Sequence, residues 1–150
     1  MSETSSTAAP PQRPLGLAVR RGLAGRCPRC GEGRLFRAYL KVNDACPACG
    51  EDFTPQRADD APAYITILIV GHFVVAGVVA AEDLWPDSPV LVDAFVWAAV
   101  AAALSMAMLP RVKGALIGYQ WAVRMHGFGD PEREQARARR RRCGRATRRR

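Results

Sequence analysis

The sequence has no lysine or arginine between residues 61 and 110, although the chain of 150 residues carries 22 basic and 14 acidic side chains, a net charge of +8. The positive charge is therefore concentrated towards the two ends. A chain of this length has room for one small domain with attached segments. The charge distribution excludes a uniformly basic globule, and the length excludes a large enzyme core.

Catalytic residue types are also scarce. The 2 histidines, His72 and His126, are widely separated, and no motif places either of them as the base for a serine or cysteine nucleophile. No G-x-x-x-x-G-K-[ST] loop is present, and Gly31-Glu-Gly33 lacks the later glycine of a dinucleotide-binding turn. We therefore expect no catalytic residues and no small-molecule substrate, in a protein that is not an enzyme.

The start of the chain lacks an apolar run. Residues 1–14 are largely Ser, Thr, Ala and Pro, a composition that neither folds alone nor serves as a secretory signal. We expect a disordered lead over residues 1–19. A short helical pattern from Leu15 to Leu23 overlaps its end.

Two apolar runs fill the middle of the chain. Residues 63–81 carry no formal charge and have about the length that crosses the hydrocarbon core of a bilayer. Residues 90–109 form a weaker run, in which Asp93 lies near one end, where its cost is low. The acidic, proline-containing segment 82–89 suits a tight loop at a membrane surface. The sequence predicts a two-helix α transmembrane hairpin over 62–110; a buried helix pair in a soluble protein is the alternative.

Lysines and arginines flank the predicted hairpin on both sides and are absent from its loop. Because basic flanks stay in the cytoplasm, we expect a multi-pass protein with both termini cytoplasmic and the acidic loop outside. The cysteines that precede the first span then lie in a reducing compartment.

The strongest signal is a repeated hexapeptide, Cys-Pro-x-Cys-Gly-Glu, which gives the spacing C-x2-C-x15-C-x2-C. Two thiolates separated by two residues can bind one ion from a tight turn, in which proline fixes φ and the following glycine takes a positive φ. We predict a small cytoplasmic zinc ribbon of β-hairpin knuckles over residues 20–58. Its metal ligands are Cys27, Cys30, Cys46 and Cys49.

We expect one structural zinc ion, because a site closed by four sulfurs leaves no position for water. Iron is the alternative, since rubredoxin-type iron sites use the same C-P-x-C-G turn. Two disulfides are a third possibility and would require an oxidising compartment. The fifth cysteine, Cys143, has no partner motif and is expected to be an unpaired thiol.

After Pro110, apolar residues recur at a spacing of three to four, with most basic residues off that stripe. This pattern predicts an amphipathic interfacial helix over residues 111–128 that lies on the inner membrane surface and is stopped by Gly127. A helix that packs on the ribbon is the alternative. The apolar stripe consists of Val112, Leu116, Tyr119 and Val123. The candidate interfacial contacts are Lys113, Gly114, Gly118, Arg124 and His126.

Three features leave alternatives open. His72 lies in the middle of the first predicted span, where its imidazole would bond its own backbone carbonyls, another copy or another protein, or would ligate haem or copper. His126 follows Met125, and together they could bind a soft metal, although a histidine favoured by the helix dipole is the simpler interpretation. Residues 129–150 form an arginine-rich tail without aromatic residues, which favours a disordered tail attracted to anionic lipid headgroups over nucleic-acid binding.

The two knuckles, a Pro-Tyr-like start to the first span, Gly71-His72 within it and the segment from Pro110 to Gly127 resemble the bacterial inner-membrane family catalogued as domain of unknown function 983. The resemblance covers roughly residues 20–128 and excludes the tail. It implies a small membrane protein without established activity, in a family often encoded near terminal oxidase assembly genes.

These features together predict a non-enzymatic, membrane-anchored zinc ribbon that presents a cytoplasmic docking surface. Its expected partner is a membrane protein or a second copy, and its expected role is that of an assembly or accessory factor of a respiratory membrane complex. The first alternative is an iron-binding redox or metal-handling membrane protein. The second is a membrane-tethered ribbon that binds RNA.

Overall fold

The computed structural model describes residues 13–128. They form three α-helices, one short β-hairpin and a final 3-10 turn. The elements are α1 (Leu15–Leu23), β1 (Phe36–Ala38), β2 (Lys41–Val42), α2 (Ala61–Leu84), α3 (Val90–Val123) and the 3-10 turn Met125–Gly127. Helices α2 and α3 form a long antiparallel pair, and α1 packs on the C-terminal part of α3. The predicted order of elements, a cysteine-bearing hairpin followed by two long apolar helices, is confirmed.

Helix α1 is ordered through contact with α3. Ala18 and Gly22 lie against Gly118 and Gly114, so closely that a Cβ on Gly114 would be 2.1 Å from the Gly22 carbonyl oxygen. Small residues at this spacing allow two helix backbones to touch. The helical pattern from Leu15 to Leu23 is therefore confirmed, whereas the prediction that disorder extends to residue 19 is wrong. Residues 1–12 lie outside the described part of the chain.

Replacing Gly118 by alanine is expected to separate α1 from α3, because the new Cβ would lie 2.4 Å from the Ala18 carbonyl oxygen. Overpacking of this kind costs about 1–3 kcal/mol. Thermal unfolding of the purified chain and protease cleavage within α1 would measure the effect. The matched control is Gly16→Ala, since nothing lies within 4 Å of a Cβ at that position; equal destabilisation by both changes would contradict the prediction.

Helices α2 and α3 are long and apolar enough to cross a membrane. Their most apolar stretches are only 11% and 0% buried. The two helices meet where Gly77 receives the Trp97 ring, whose Cη2 would lie 2.1 Å from an added Cβ. In the loop between them, Ser88 Oγ donates a hydrogen bond to Asp93. The Asp93 carboxylate lies in the first turn of α3, where the helix dipole favours negative charge.

Helix α3 continues through Pro110, so the predicted boundary between a second span and a separate helix over 111–128 is wrong. Proline lacks the N–H that would bond the carbonyl of Met106, four residues earlier. The Tyr39 hydroxyl, at the hairpin turn, donates to that carbonyl at 2.9 Å instead. The helix ends at Val123 rather than at Gly127, with Arg124 in a left-handed conformation at φ 59.

The buried face of the C-terminal part of α3 also differs from the predicted apolar stripe. Tyr119 and Val123 are exposed, and Leu116 is half-buried. The buried residues are Val112, Gly114, Ile117, Gly118, Gln120 and Trp121. Gly114 and Gly118 are buried because α1 packs closely against them. Trp121 and Gln120 are buried because their side chains form hydrogen bonds with the cysteine-bearing segment. This part of α3 is therefore the helix packed on the ribbon that the sequence left as an alternative, in a shared core with Leu35 and Phe53.

Candidate metal centre

Two tight turns with the same hydrogen bonds position the cysteines. The Gly31 N–H donates to the Cys27 carbonyl, and the Gly50 N–H donates to the Cys46 carbonyl, each at 2.8 Å. The glycines have φ values of 78° and 70°, a backbone conformation that L side chains rarely adopt. The positive φ expected of the glycine after each cysteine pair is thus confirmed.

The structure brings the four predicted ligands together. Their sulfur atoms all lie within 4.8 Å of one another, with Cys27 Sγ 3.7 Å from Cys49 Sγ and Cys30 Sγ 3.8 Å from Cys46 Sγ. Four sulfurs held tetrahedrally at about 2.3 Å from one ion are about 3.8 Å apart. The separations greatly exceed the length of about 2.05 Å of a disulfide bond. The cluster therefore fits one four-coordinate metal ion.

The environments of the sulfurs differ. Burial raises the pKa of the Cys27 thiol far above its ordinary range, and burial also raises that of Cys49. Burial acts in the same direction on Cys30, but hydrogen bonds from the backbone of Gly33 and Glu32 and from the neighbouring thiols lower its pKa to about 6. Cys30 is thus favoured as a thiolate, while Cys27 and Cys49 lose their protons when a bound cation compensates the cost of their burial, so that metal binding releases protons.

Gly33 is a site residue that the sequence interpretation missed. A Cβ there would lie 2.2 Å from the sulfur of Cys46, so only the bare backbone leaves room for the ligand. The sequence offers one sign of this role: Gly33 lies two residues after Gly31, the glycine of the first turn. The Gly33 carbonyl also accepts a hydrogen bond from the Cys27 N–H at 2.8 Å.

A buried carboxylate joins the metal centre to α3. Glu51, the last residue of the second hexapeptide, is 9% exposed and accepts hydrogen bonds on both oxygens. Trp121 Nε1 donates to Oε1 at 2.8 Å, and Arg29, between the first two cysteines, donates to Oε2 at 2.9 Å. The equivalent Glu32 of the first hexapeptide is exposed. The repeated glutamate was the available signal for Glu51, but nothing local distinguished the two copies.

Two further residues of α3 bind the backbone of the cysteine-bearing segment, one at its C-terminal end and one at the hairpin turn. Gln120 Oε1 accepts from the Arg57 N–H at 3.1 Å, and its Nε2 donates to the Arg57 carbonyl. Lys113 Nζ donates to the carbonyl of Leu40, in the hairpin turn, at 2.9 Å. The backbone groups that these two side chains satisfy lie between the two cysteine pairs, at Leu40, and after the second pair, at Arg57. The segment is therefore attached at three levels along the helix.

The residues predicted to contact the membrane interface divide into two groups. Lys113 is half-buried and bonds to the hairpin, while Gly114 and Gly118 are buried against α1. The hairpin and α1 thus supply the contacts that the sequence interpretation assigned to lipid. Arg124 forms the left-handed end of α3, and His126 is exposed with φ 56. The structure brings neither into the metal centre, whose described ligands are all cysteines.

His72 is exposed on α2, and its Nδ1 lies 2.7 Å from the carbonyl oxygen of Leu68, one turn earlier. The bond to its own backbone, one of the expected arrangements, is the one observed. Contact with another copy or another protein stays a prediction. Cys143 and the arginine-rich tail over 129–150 lie outside the described residues.

Tyr39→Phe is expected to weaken the attachment of the hairpin by about 0.5–1.5 kcal/mol, because the Met106 carbonyl loses its donor. The same change in a Pro110→Ala background should have little effect, because the alanine N–H can serve that carbonyl. A double-mutant cycle on thermal unfolding would measure this coupling. Additive effects of the two changes would contradict the prediction.

A cluster of four cysteines that could hold a metal ion, which flanks a short hairpin at the end of two long apolar helices, defines the class of protein. The model of a family described as a protein of unknown function, DUF983, matches residues 36–121, and the chain belongs to this family. The matched region contains the second cysteine pair, both apolar helices and the α3 residues that hold the hairpin. No curated protein and no solved structure matches the chain.

Proposed function

We propose that this protein is a membrane-anchored zinc protein without catalytic activity, whose four-cysteine domain is a docking surface at the cytoplasmic face of a bacterial inner membrane. The observation that carries the proposal is the buried bond from Trp121 to Glu51. A charged hydrogen bond in a buried position holds the metal domain in one orientation relative to the helices. A fixed orientation suits presentation to a partner.

The exposed surface of the helices supports the membrane anchor. A core helix of a soluble protein is mostly buried, whereas the apolar stretches of α2 and α3 are 11% and 0% buried. Such surface is strongly unfavourable in water, at about 25 cal/mol per Å². The absence of lysine and arginine from residues 61–110 supports a cytoplasmic position for both ends. A reporter fused after Arg150 that is active only in the periplasm would contradict this topology.

The donor set supports zinc. Four thiolates in a closed tetrahedron, with an acidic group that bonds to α3 instead of the metal, leave no ligand position for water or substrate. A structural ion bound here stabilises the fold of a hairpin that is too small to fold by itself. A purified protein that is red and contains iron would favour the redox or metal-handling alternative.

The proposed partner is a second membrane protein that contacts the outward side of the hairpin. Arg37 and Lys41 are exposed there, while the opposite side is occupied by α3. A respiratory complex as the partner stays a prediction from the family resemblance.

Site-specific photocrosslinking in native membranes would test the docking surface. With the crosslinker at Lys41, we expect one discrete adduct, and with the crosslinker at Ile117, which is 0% exposed, we expect none. The adduct at Lys41 should disappear when Cys46→Ser prevents metal binding. Adducts that persist in the Cys46→Ser chain, or that are equal from both positions, would contradict a docking role for the metal domain.

A further inference from the structure

Two adjoining hollows lie where the metal domain meets the end of the apolar part of α3. The larger, with a volume of about 590 Å³, is lined by Arg26 and Arg34. The smaller, of about 320 Å³, is lined by Pro110 and Arg111. The two hollows share the wall formed by Phe36 and by Ala24 and Gly25, which follow α1. Together they form a surface with cationic and apolar parts, outside the metal centre.

The larger hollow is lined by two arginines, Arg26 and Arg34, which lie opposite each other on neighbouring chain segments. Arg26 and Arg34 are paired by an antiparallel bridge, an arrangement in which like charges oppose each other unfavourably. Both side chains are exposed, and within residues 13–128 neither guanidinium makes a hydrogen bond or an ion pair. Glu32 lines the same hollow with one negative charge, so the hollow remains net positive. An anion placed between the two guanidinium groups would relieve their repulsion.

The third arginine lies at the edge of the apolar surface. Arg111 is the first basic residue after the long uncharged part of α3, and its Nη1 donates to the carbonyl of Ala107, one turn earlier. The guanidinium is thus directed back towards the apolar stretch. Leu23 and Pro110 form the adjacent wall, which continues onto the exposed Met106. An anionic group bound here would therefore lie next to an apolar surface, as the headgroup of a lipid does.

The geometry points to a binding site for the headgroup of an anionic phospholipid, with its phosphate between Arg26 and Arg34 and its acyl chains beyond Arg111 along α3. The inference rests on the proposed membrane anchor. Guanidinium groups bind phosphate oxygens through paired, charge-assisted hydrogen bonds. A lipid fits better than a soluble phosphate because the smaller hollow offers an apolar wall, which a soluble anion does not use.

The test is native mass spectrometry of the purified, delipidated full chain titrated with phosphatidylglycerol or phosphatidylcholine. The Arg26→Gln, Arg34→Gln double variant should bind phosphatidylglycerol roughly 30-fold more weakly than the wild type. The matched control is Arg20→Gln with Arg57→Gln, which removes the same charge from exposed arginines that line neither hollow, and should change little. Glu32→Gln should strengthen binding by about fivefold, which misfolding would not produce.

Several results would overturn the site. Equal losses in the two double variants would indicate diffuse attraction, and equal binding of phosphatidylcholine would remove the role of headgroup charge. Complete displacement by equimolar inorganic phosphate or by an RNA oligonucleotide would assign the arginines to a soluble anion. Two further measurements on the same variants distinguish the lipid site from the membrane anchor. They are metal content and resistance to alkaline extraction from membranes. A loaded, inserted chain without lipid selectivity refutes this site alone, whereas an extractable wild type refutes the anchor as well.

Discussion

Changing Cys27 to serine is expected to reduce the metal content of the purified chain from about one ion to none and to unfold residues 26–53. The four sulfurs lie within 4.8 Å of one another, and among the described residues no further His, Cys, Asp or Glu belongs to the cluster. Structural zinc contributes about 10–16 kcal/mol to the folding of small domains, so the loss of one ligand should weaken metal affinity by several orders of magnitude. Elemental analysis and limited proteolysis would measure both effects.

The control for this change is Cys143→Ser, which makes the same chemical substitution outside the four-cysteine pattern and should leave metal content unchanged. The apolar helices should remain in the membrane fraction in both variants, because α2 and α3 contact each other away from the cysteines. A Cys27→Ser chain with full metal content and an equally protease-resistant hairpin would refute the four-sulfur site.

Trp121→Ala should release the metal domain from α3 while the metal remains bound. Trp121 is 6% exposed, donates to Glu51, and has the guanidinium of Arg13 4.3 Å from its ring centroid. Loss of a buried tryptophan costs about 3–5 kcal/mol. The Glu51 carboxylate would also remain buried with one hydrogen bond fewer. Hydrogen exchange should therefore increase across α1 and the hairpin, with little change in metal content.

Two variants separate the contributions of the indole. Trp121→Phe keeps an aromatic ring in the core but removes the N–H, and should cost about 1.5–3 kcal/mol. Glu51→Gln keeps an acceptor for the indole and weakens mainly the pairing with Arg29. If Trp121→Ala leaves hydrogen exchange as in the wild type, the attachment of the domain does not depend on this contact. If it removes the metal, the domain and its attachment fold as one unit.

Local patterns predicted the features that depend on neighbours in sequence. Both cysteine turns follow from proline and glycine at fixed positions beside each thiol, and these turns are closed by bonds between residues that are close in sequence. The two apolar helices follow from composition alone, because length and lack of charge are visible without a partner. Neither feature required knowledge of the folded chain.

Features that depend on distant residues were mispredicted. Pro110 is typical of a helix boundary, but α3 continues through it. The Met106 carbonyl, which Pro110 cannot bond, accepts a hydrogen bond from the distant Tyr39 hydroxyl. Gly114 and Gly118 indicated close packing, but the sequence did not show that α1 is the helix they contact. Glu51 rather than Glu32 is the buried carboxylate because Trp121 bonds to it. Trp121 is distant in sequence, so the residues around the two glutamates could not predict this difference.

The bond between Glu51 and Trp121 joins residues 70 positions apart, with both apolar helices between them. A ribosome adds about 5–20 residues per second, so the indole is synthesised roughly 4–14 s after the carboxylate that it binds. During this interval the nascent hairpin lacks the C-terminal part of α3, and its nearest helix is α1, from which Arg21 bonds to the first cysteine turn. Biosynthesis thus completes the set of four cysteines before the residues that attach it to α3, and a translation product that stops before residue 112 carries all four cysteines without Lys113, Gln120 and Trp121.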